Sequence, residues 1–210
     1  MNKSDLERDY YMLKGPLAKK GYDWWWHSLT AYNKETGEER PFFIEYFVCN
    51  PALAEEEPTL GQLPENQKAG KRPSYCMIKA GTWGKNPKQI HNFYSMKYFN
   101  CPDDELNIQV GDCSLTETHM SGFSRVSEDD AKNHPEYMSD AGDMMWDLDI
   151  DKKITFNVGY GANSFFRKLN AFEMFWHAEG IKTEYSGTIW LDGEEYEVIP
   201  EKSYGYADKN

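Results

Sequence analysis

The sequence predicts an all-β protein, an antiparallel barrel or strongly bent sandwich with at most one or two short helices. Three observations carry this. Seven Trp, fourteen Tyr and eleven Phe in 210 residues favour strands and pocket walls over helix bundles. Short apolar runs recur between Gly, Asn, Asp and Pro punctuation, without the alternation of βαβ units. Asp192-Gly193 separates two such runs, and this dipeptide is preferred in type I′ turns because both positions need positive φ.

Residues 1–20 read as a polar lead-in, with a short helix around Asp5 to Leu13 ended by Gly15-Pro16. Residues 21–210 are expected to form one β domain. Trp24 to Tyr32 and Pro41 to Asn50 flank a polar, Gly-bearing stretch over 33–38 and should pair as an antiparallel hairpin. Residues 51–73 have the Pro, Gly and mixed-charge content of a mobile surface loop, of a length that often covers a site. Strands are expected over Ser74 to Thr82, Gln89 to Phe99, Leu106 to Ser114 and Glu117 to Val126. Ser127-Glu128-Asp129-Asp130 resembles a capping box opening a short helix that Pro135 limits. From Met145 to Ile154, Trp146, Leu148 and Ile150 share one face while Asp147, Asp149 and Asp151 share the other, the pattern of a half-buried strand. A strand over Ala171 to Ala178, a turn at Glu179-Gly180, and the hairpin Tyr185 to Leu191 with Glu194 to Pro200 complete the series.

A net charge of -12 argues against nucleic acid or an anionic membrane surface as partner, because the Lys and Arg clusters that neutralise phosphates are missing. Cys49, Cys76, Cys101 and Cys113 show no C-x-x-C spacing and read as buried thiols. No apolar stretch approaches the roughly 20 residues of a spanning helix, and no secretory signal opens the chain, so a cytoplasmic location is expected. Asp147, Asp149 and Asp151 imitate the start of a calcium loop but lack its Gly and terminal Glu, and the histidines show no ligand spacing. No metal or other cofactor is expected. Gly159-Tyr160-Gly161 opens no phosphate loop, and no serine has a Gly-x-Ser-x-Gly context.

Phe172-Glu173-Met174-Phe175-Trp176-His177, Tyr185-Ser186-Gly187-Thr188-Ile189, Leu191-Asp192-Gly193 and Ser203-Tyr204-Gly205-Tyr206-Ala207-Asp208-Lys209-Asn210 together resemble the tocopherol cyclase family. Trp24-Trp25-Trp26-His27 and Phe42-Phe43-Ile44-Glu45-Tyr46-Phe47 resemble the aromatic first hairpin of the wider superfamily, which includes carotenoid 1,2-hydratases and lipocalin-like pericyclases. The resemblance spans most of residues 20–210, with the terminal motif its specific part. It implies a lipocalin-like (calycin-type) barrel and a hydrophobic small-molecule partner, a prenylquinol or a polyene lipid. It also implies acid-promoted cyclisation or hydration of a double bond without a cofactor. Members carry two such domains, with an Asp-[His/Lys]-x-Trp-[Gly/Ser] motif after the first. Asp208-Lys209-Asn210 stands where that motif begins, so the chain is expected to be the first half of a two-domain protein.

Protonating a double-bond carbon requires a carboxylic acid kept neutral in a dry environment, and aromatic faces to stabilise the resulting cation. The resemblance puts Asp208 in the role of acid, with a turn-pinning residue as the alternative. Glu45 falls between Phe43 and Phe47 on one strand face, where desolvation would raise its pKa and fit it to assist or to anchor a ligand. Pairing with a buried cation is the other reading. Trp24 and Trp26 share a strand face opposite Trp25, and with Phe43, Phe47, Trp176, Tyr204 and Tyr206 they are the candidate walls. His27 and His177 each follow a Trp and could bond an oxygenated head group, or be structural. A non-catalytic carrier and a glycan-binding sandwich remain alternatives to the enzyme.

Overall fold

A computed structural model describes residues 9–102, 104–156 and 176–210. The strands are β1 (Tyr22–Asn33), β2 (Glu39–Cys49), β3 (Tyr75–Thr82), β4 (Lys88–Tyr94), β5 (Phe99–Asn100), β6 (Asn107–Val110), β7 (Cys113–Thr116), β8 (His119–Val126), β9 (Gly142–Phe156), β10 (His177–Leu191), β11 (Glu194–Val198) and β12 (Gly205–Lys209). Two short helices, α1 (Pro64–Lys68) and α2 (Glu128–Asn133), are attached to them. All of the pairings are antiparallel, in the order β4-β3-β2-β1-β11-β10-β9-β8-β7-β6-β5. β11 and β12 share one position. β11 lies against β1 at Tyr32 and Asn33, β12 lies against it from Trp25 to Ser28, and both also pair with β10.

The sheet curls until β4 meets β8, where side chains replace the backbone ladder. Asn92 bonds both the carbonyl and the N–H of Arg125, at 2.9 and 2.8 Å, and Ser124 Oγ donates to the Ile90 carbonyl. The expected class, an all-β lipocalin-like barrel with at most two short helices, is the one found. Alternation fills the interior: Trp25, Leu29 and Ala31 of β1, Phe42, Ile44, Tyr46 and Val48 of β2, and Met144, Trp146, Leu148 and Ile150 of β9 are buried together. Burying aromatic and branched side chains of this size is worth about 1.5–3 kcal/mol each. The interior expected to hold an apolar ligand is thus packed with side chains, and Tyr46 crosses it to donate to the Ser114 carbonyl at 2.7 Å.

The first hairpin pairs as expected, Trp26 opposite Glu45. In the last, Asp192 and Gly193 take φ of 51° and 87°, as a type I′ turn requires. Ser127 Oγ accepts from the Asp130 N–H at the start of α2. Three expectations are corrected. The strand from Gln89 stops at Tyr94, because Ser95 caps a 3-10 turn over Met96–Tyr98. The run Leu106 to Ser114 is a hairpin, broken at Gly111, whose φ is 58°. Glu179-Gly180 is no turn: β10 runs through it with register shifts, and a Cβ on Gly180 would lie 2.0 Å from Thr183 Oγ1. Within the predicted loop 51–73, α1 and a bridge between Thr59 and Ser74 give partial order. Positions 1–8 of the lead-in, and 171–175 of the predicted strand, lie outside the described residues; positions 9–13 of the expected lead-in helix are not helical, and a 3-10 turn covers Gly15–Ala18. None of the described helices is long and apolar enough to cross a membrane. All four cysteines are free thiols.

Candidate functional site

The outward face of β1–β3 carries most of the aromatic candidates. Trp26 stacks on Phe43 at 5.1 Å and 5°, and Trp83 packs against both, at 5.9 and 4.9 Å. A second group links Trp24 to Tyr22 at 5.7 Å, Tyr22 to Phe47 at 6.3 Å, and Phe47 to Tyr75 at 5.8 Å. Gly81, opposite Phe43 on β3, keeps room for the ring: a Cβ there would sit 2.8 Å from Phe43 Cζ.

Across this face runs one register row, Lys79 to Glu45 to Trp26 to Asp208, contributed by β3, β2, β1 and β12 in turn. The two predicted carboxylates therefore flank Trp26. Asp208 accepts from Trp24 Nε1–H at 2.8 Å, and the Tyr206 hydroxyl lies near it. Burial, seconded by the charge of Asp208, keeps the Glu45 carboxyl above the ordinary range even though Lys79 Nζ lies 3.7 Å away. Lys79 also stands 5.8 Å from the centres of both Trp26 and Phe43. Trp176 lies near the Tyr206 hydroxyl beside this row. Tyr204 stands apart, 78% exposed and at φ 45°.

Trp83 also borders an open polar cleft of about 260 Å³ at one end of the barrel, lined by Asn33, Arg40, Asn86, Glu194 and Tyr196 among others. Arg40 is fixed there by bonds to Thr82 Oγ1, the Tyr196 hydroxyl and the Asn86 carbonyl.

His27 and His177 point the other way, into a buried charged cluster. Lys152 Nζ donates to Asp9 at 3.0 Å, Glu117 at 2.7 Å and Glu179 at 2.5 Å. His177 Nε2 lies 3.2 Å from Asp9, and His27 Nε2 lies 3.9 Å from Glu179. Burial and the Lys152 charge push His27 down to about 3, so its ring is neutral. Its Nδ1 bonds Tyr185, whose hydroxyl donates on to the Tyr206 carbonyl. A second buried pair, Lys209 with Asp23 at 2.6 Å, lies on the inward side of the terminal motif. Sequence reasoning missed Lys152, Glu117, Glu179, Asp9, Asp23 and Lys209 as site residues. The strand pattern did carry one signal, because Lys152 continues the inward series of Trp146, Leu148 and Ile150.

Fold and site define an all-β barrel with an acid-bearing aromatic face outside and an ionic cluster within. No family model and no curated protein matches the chain. Among solved structures, it is similar to a candidate AttH of Nitrosomonas europaea at 12% identity and a TM-score of 0.51, over 90% of this chain and 50% of that one. It is also similar to kievitone hydratase of Nectria haematococca at 13% identity and a TM-score of 0.48, over 89% of this chain and 47% of that one. The chain spans about half the length of the solved structures it matches. The likeness is one of fold.

Proposed function

We propose that the outer aromatic face binds a prenylated or polyene small molecule and that Glu45 and Asp208 promote hydration or cyclisation of one of its double bonds. The row Glu45, Trp26, Asp208 carries the reading, because it sets two carboxyl groups on either side of an indole, and burial raises the pKa of one of them, Glu45. The resemblance of the terminal motif to the tocopherol cyclase family supports the same chemistry.

In this reading Glu45 gives its proton to one alkene carbon, and the neighbouring carbon becomes a cation over the face of Trp26. A water or a substrate hydroxyl adds to that carbon, and Asp208 takes the proton the oxygen loses. This reverses the roles that the family position suggests, since Glu45 is the carboxyl whose pKa burial raises. A second β domain, as in the family, would cover the face and exclude water.

The test offers a prenylquinol in D2O to the full chain and follows deuterium uptake into product. Glu45→Gln and Asp208→Asn should each reduce it roughly 100-fold or more, while Trp fluorescence still reports binding. Undiminished turnover in both variants would remove the catalytic claim and leave a binding protein.

One observation favours a second reading. Trp83 is 41% exposed and borders the polar cleft, an arrangement suited to stacking a sugar ring and bonding its hydroxyls. Oligosaccharide binding that Trp83→Ala removes, with no response to prenyl compounds, would select it.

A further inference from the structure

Lys152 takes one oxygen from each of three carboxylates, Asp9 Oδ2, Glu117 Oε2 and Glu179 Oε2. Three carboxyl groups share one ammonium in a place where Asp9, Glu179 and His27 are fully buried, and buried polar atoms need partners. Asp9 Oδ1 and Glu117 Oε1, oxygens that Lys152 leaves, have none among the described residues. Ligand atoms of Asp9, Glu117 and Glu179 lie within 4.8 Å of one another. Glu179 Oε1 and His27 Nε2 have no hydrogen-bond partner among the described residues, yet they face each other at 3.9 Å. That gap is too long for a hydrogen bond. It suits two ligands of one ion, each about 2.0–2.2 Å from the metal.

The imidazole is also prepared for that role. The Tyr185 hydroxyl donates to the Tyr206 carbonyl at 3.4 Å and so accepts from His27 Nδ1–H at 2.9 Å, which leaves the lone pair on Nε2, towards Glu179. Metal-binding histidines are held in this way, through the second ring nitrogen. His177, 3.2 Å from Asp9 on the other side, adds a second imidazole.

We infer that Asp9, Glu117, Glu179 and His27, with His177 beside them, form a buried site for one divalent cation that accepts both carboxylate and imidazole, such as Mn2+ or Zn2+. Lys152 stays in place as a counter-charge that binds the oxygens the ion does not use. Because Asp9 precedes β1, Glu117 lies between β7 and β8, and Glu179 lies in β10, the ion would tie the start of the described chain to both sides of the barrel.

The test refolds the full chain from urea with Zn2+ or Mn2+ alone, dialyses it, and measures retained metal by elemental analysis and affinity by calorimetry. One equivalent per chain is expected, with a higher Tm than the metal-free protein. Glu179→Gln and His27→Gln should weaken binding by roughly 100-fold, and circular dichroism shows whether each variant folds. His119, exposed beside Asp147 at 3.3 Å and Asp149 at 3.0 Å, is the alternative surface binder, so His119→Ala should leave the equivalent in place. Less than stoichiometric metal, or metal lost in His119→Ala but kept in His27→Gln, would overturn the assignment.

Discussion

Replacing Lys209 by Met isolates the energetics of the terminal motif. The Lys209 side chain is 1% exposed; its ammonium lies 2.6 Å from Asp23 Oδ1 and 4.9 Å from the centre of the Trp25 ring. Methionine fills similar volume but leaves Asp23 without its counter-charge, a change that typically costs about 3–5 kcal/mol in a buried pair. A domain is stable by only about 5–15 kcal/mol, so the variant loses a large part of its margin. Burial already raises Asp23 to about 6 against the pull of Lys209, and without Lys209 it rises further. A group whose folded pKa is raised stabilises the fold below its unfolded pKa, and that contribution is lost as pH rises through the folded value. The Lys209→Met deficit should therefore be largest at pH 7 and shrink towards pH 5, where Asp23 takes up a proton. Urea unfolding followed by Trp fluorescence at both pH values measures this. Asp23→Asn combined with Lys209→Met removes both charges and should unfold within about 1 kcal/mol of the parent. A single variant that loses less than about 1 kcal/mol at pH 7, or a double variant as unstable as the single, would refute the reasoning.

Gly81→Ala places a Cβ 2.1 Å from the Lys88 carbonyl and 2.8 Å from Phe43 Cζ, so a loss of about 1–3 kcal/mol is expected in thermal unfolding. Ser127→Ala removes the acceptor for the Asp130 N–H and should cost about 1 kcal/mol, with the barrel's near-ultraviolet signal unchanged. The raised Glu45 carboxyl must be protonated to act as acid, so kcat should fall as pH rises through its pKa. A pH-rate profile checks this, and Glu45→Gln should abolish that limb.

Local chemistry made much of the fold legible. Period-two alternation placed Trp146, Leu148 and Ile150 inside, Asp192-Gly193 located the last hairpin, and Ser127 located α2. What failed was also local: Ser95 and Gly111 interrupt runs whose composition alone reads as continuous strand. The interleaving of β12 between β1 and β10 was not legible, because it depends on which edges remain free once distant hairpins have formed. Without it nothing relates Glu45 to Asp208, although alternation already put Glu45 between Phe43 and Phe47. The ionic cluster was hidden for the same reason. Asp9, Glu117 and Glu179 share no spacing, and only Lys152, on the inward side of an otherwise apolar series, hinted that a charged partner set had to exist.

The join between β4 and β8 gives the barrel a preferred line of opening. Elsewhere, separating neighbours breaks a run of backbone bonds. Here the edge is held by the Asn92 amide, the Ser124 hydroxyl, the contacts of Gln89 and His91 with Asp140, Ser139 and Tyr137, and the pair of Lys88 with Asp192. The aromatic face rides on β1–β3, on one side of this join, whereas the cluster around Lys152 takes Lys152 from β9 and Glu117 from the turn before β8, on the other side.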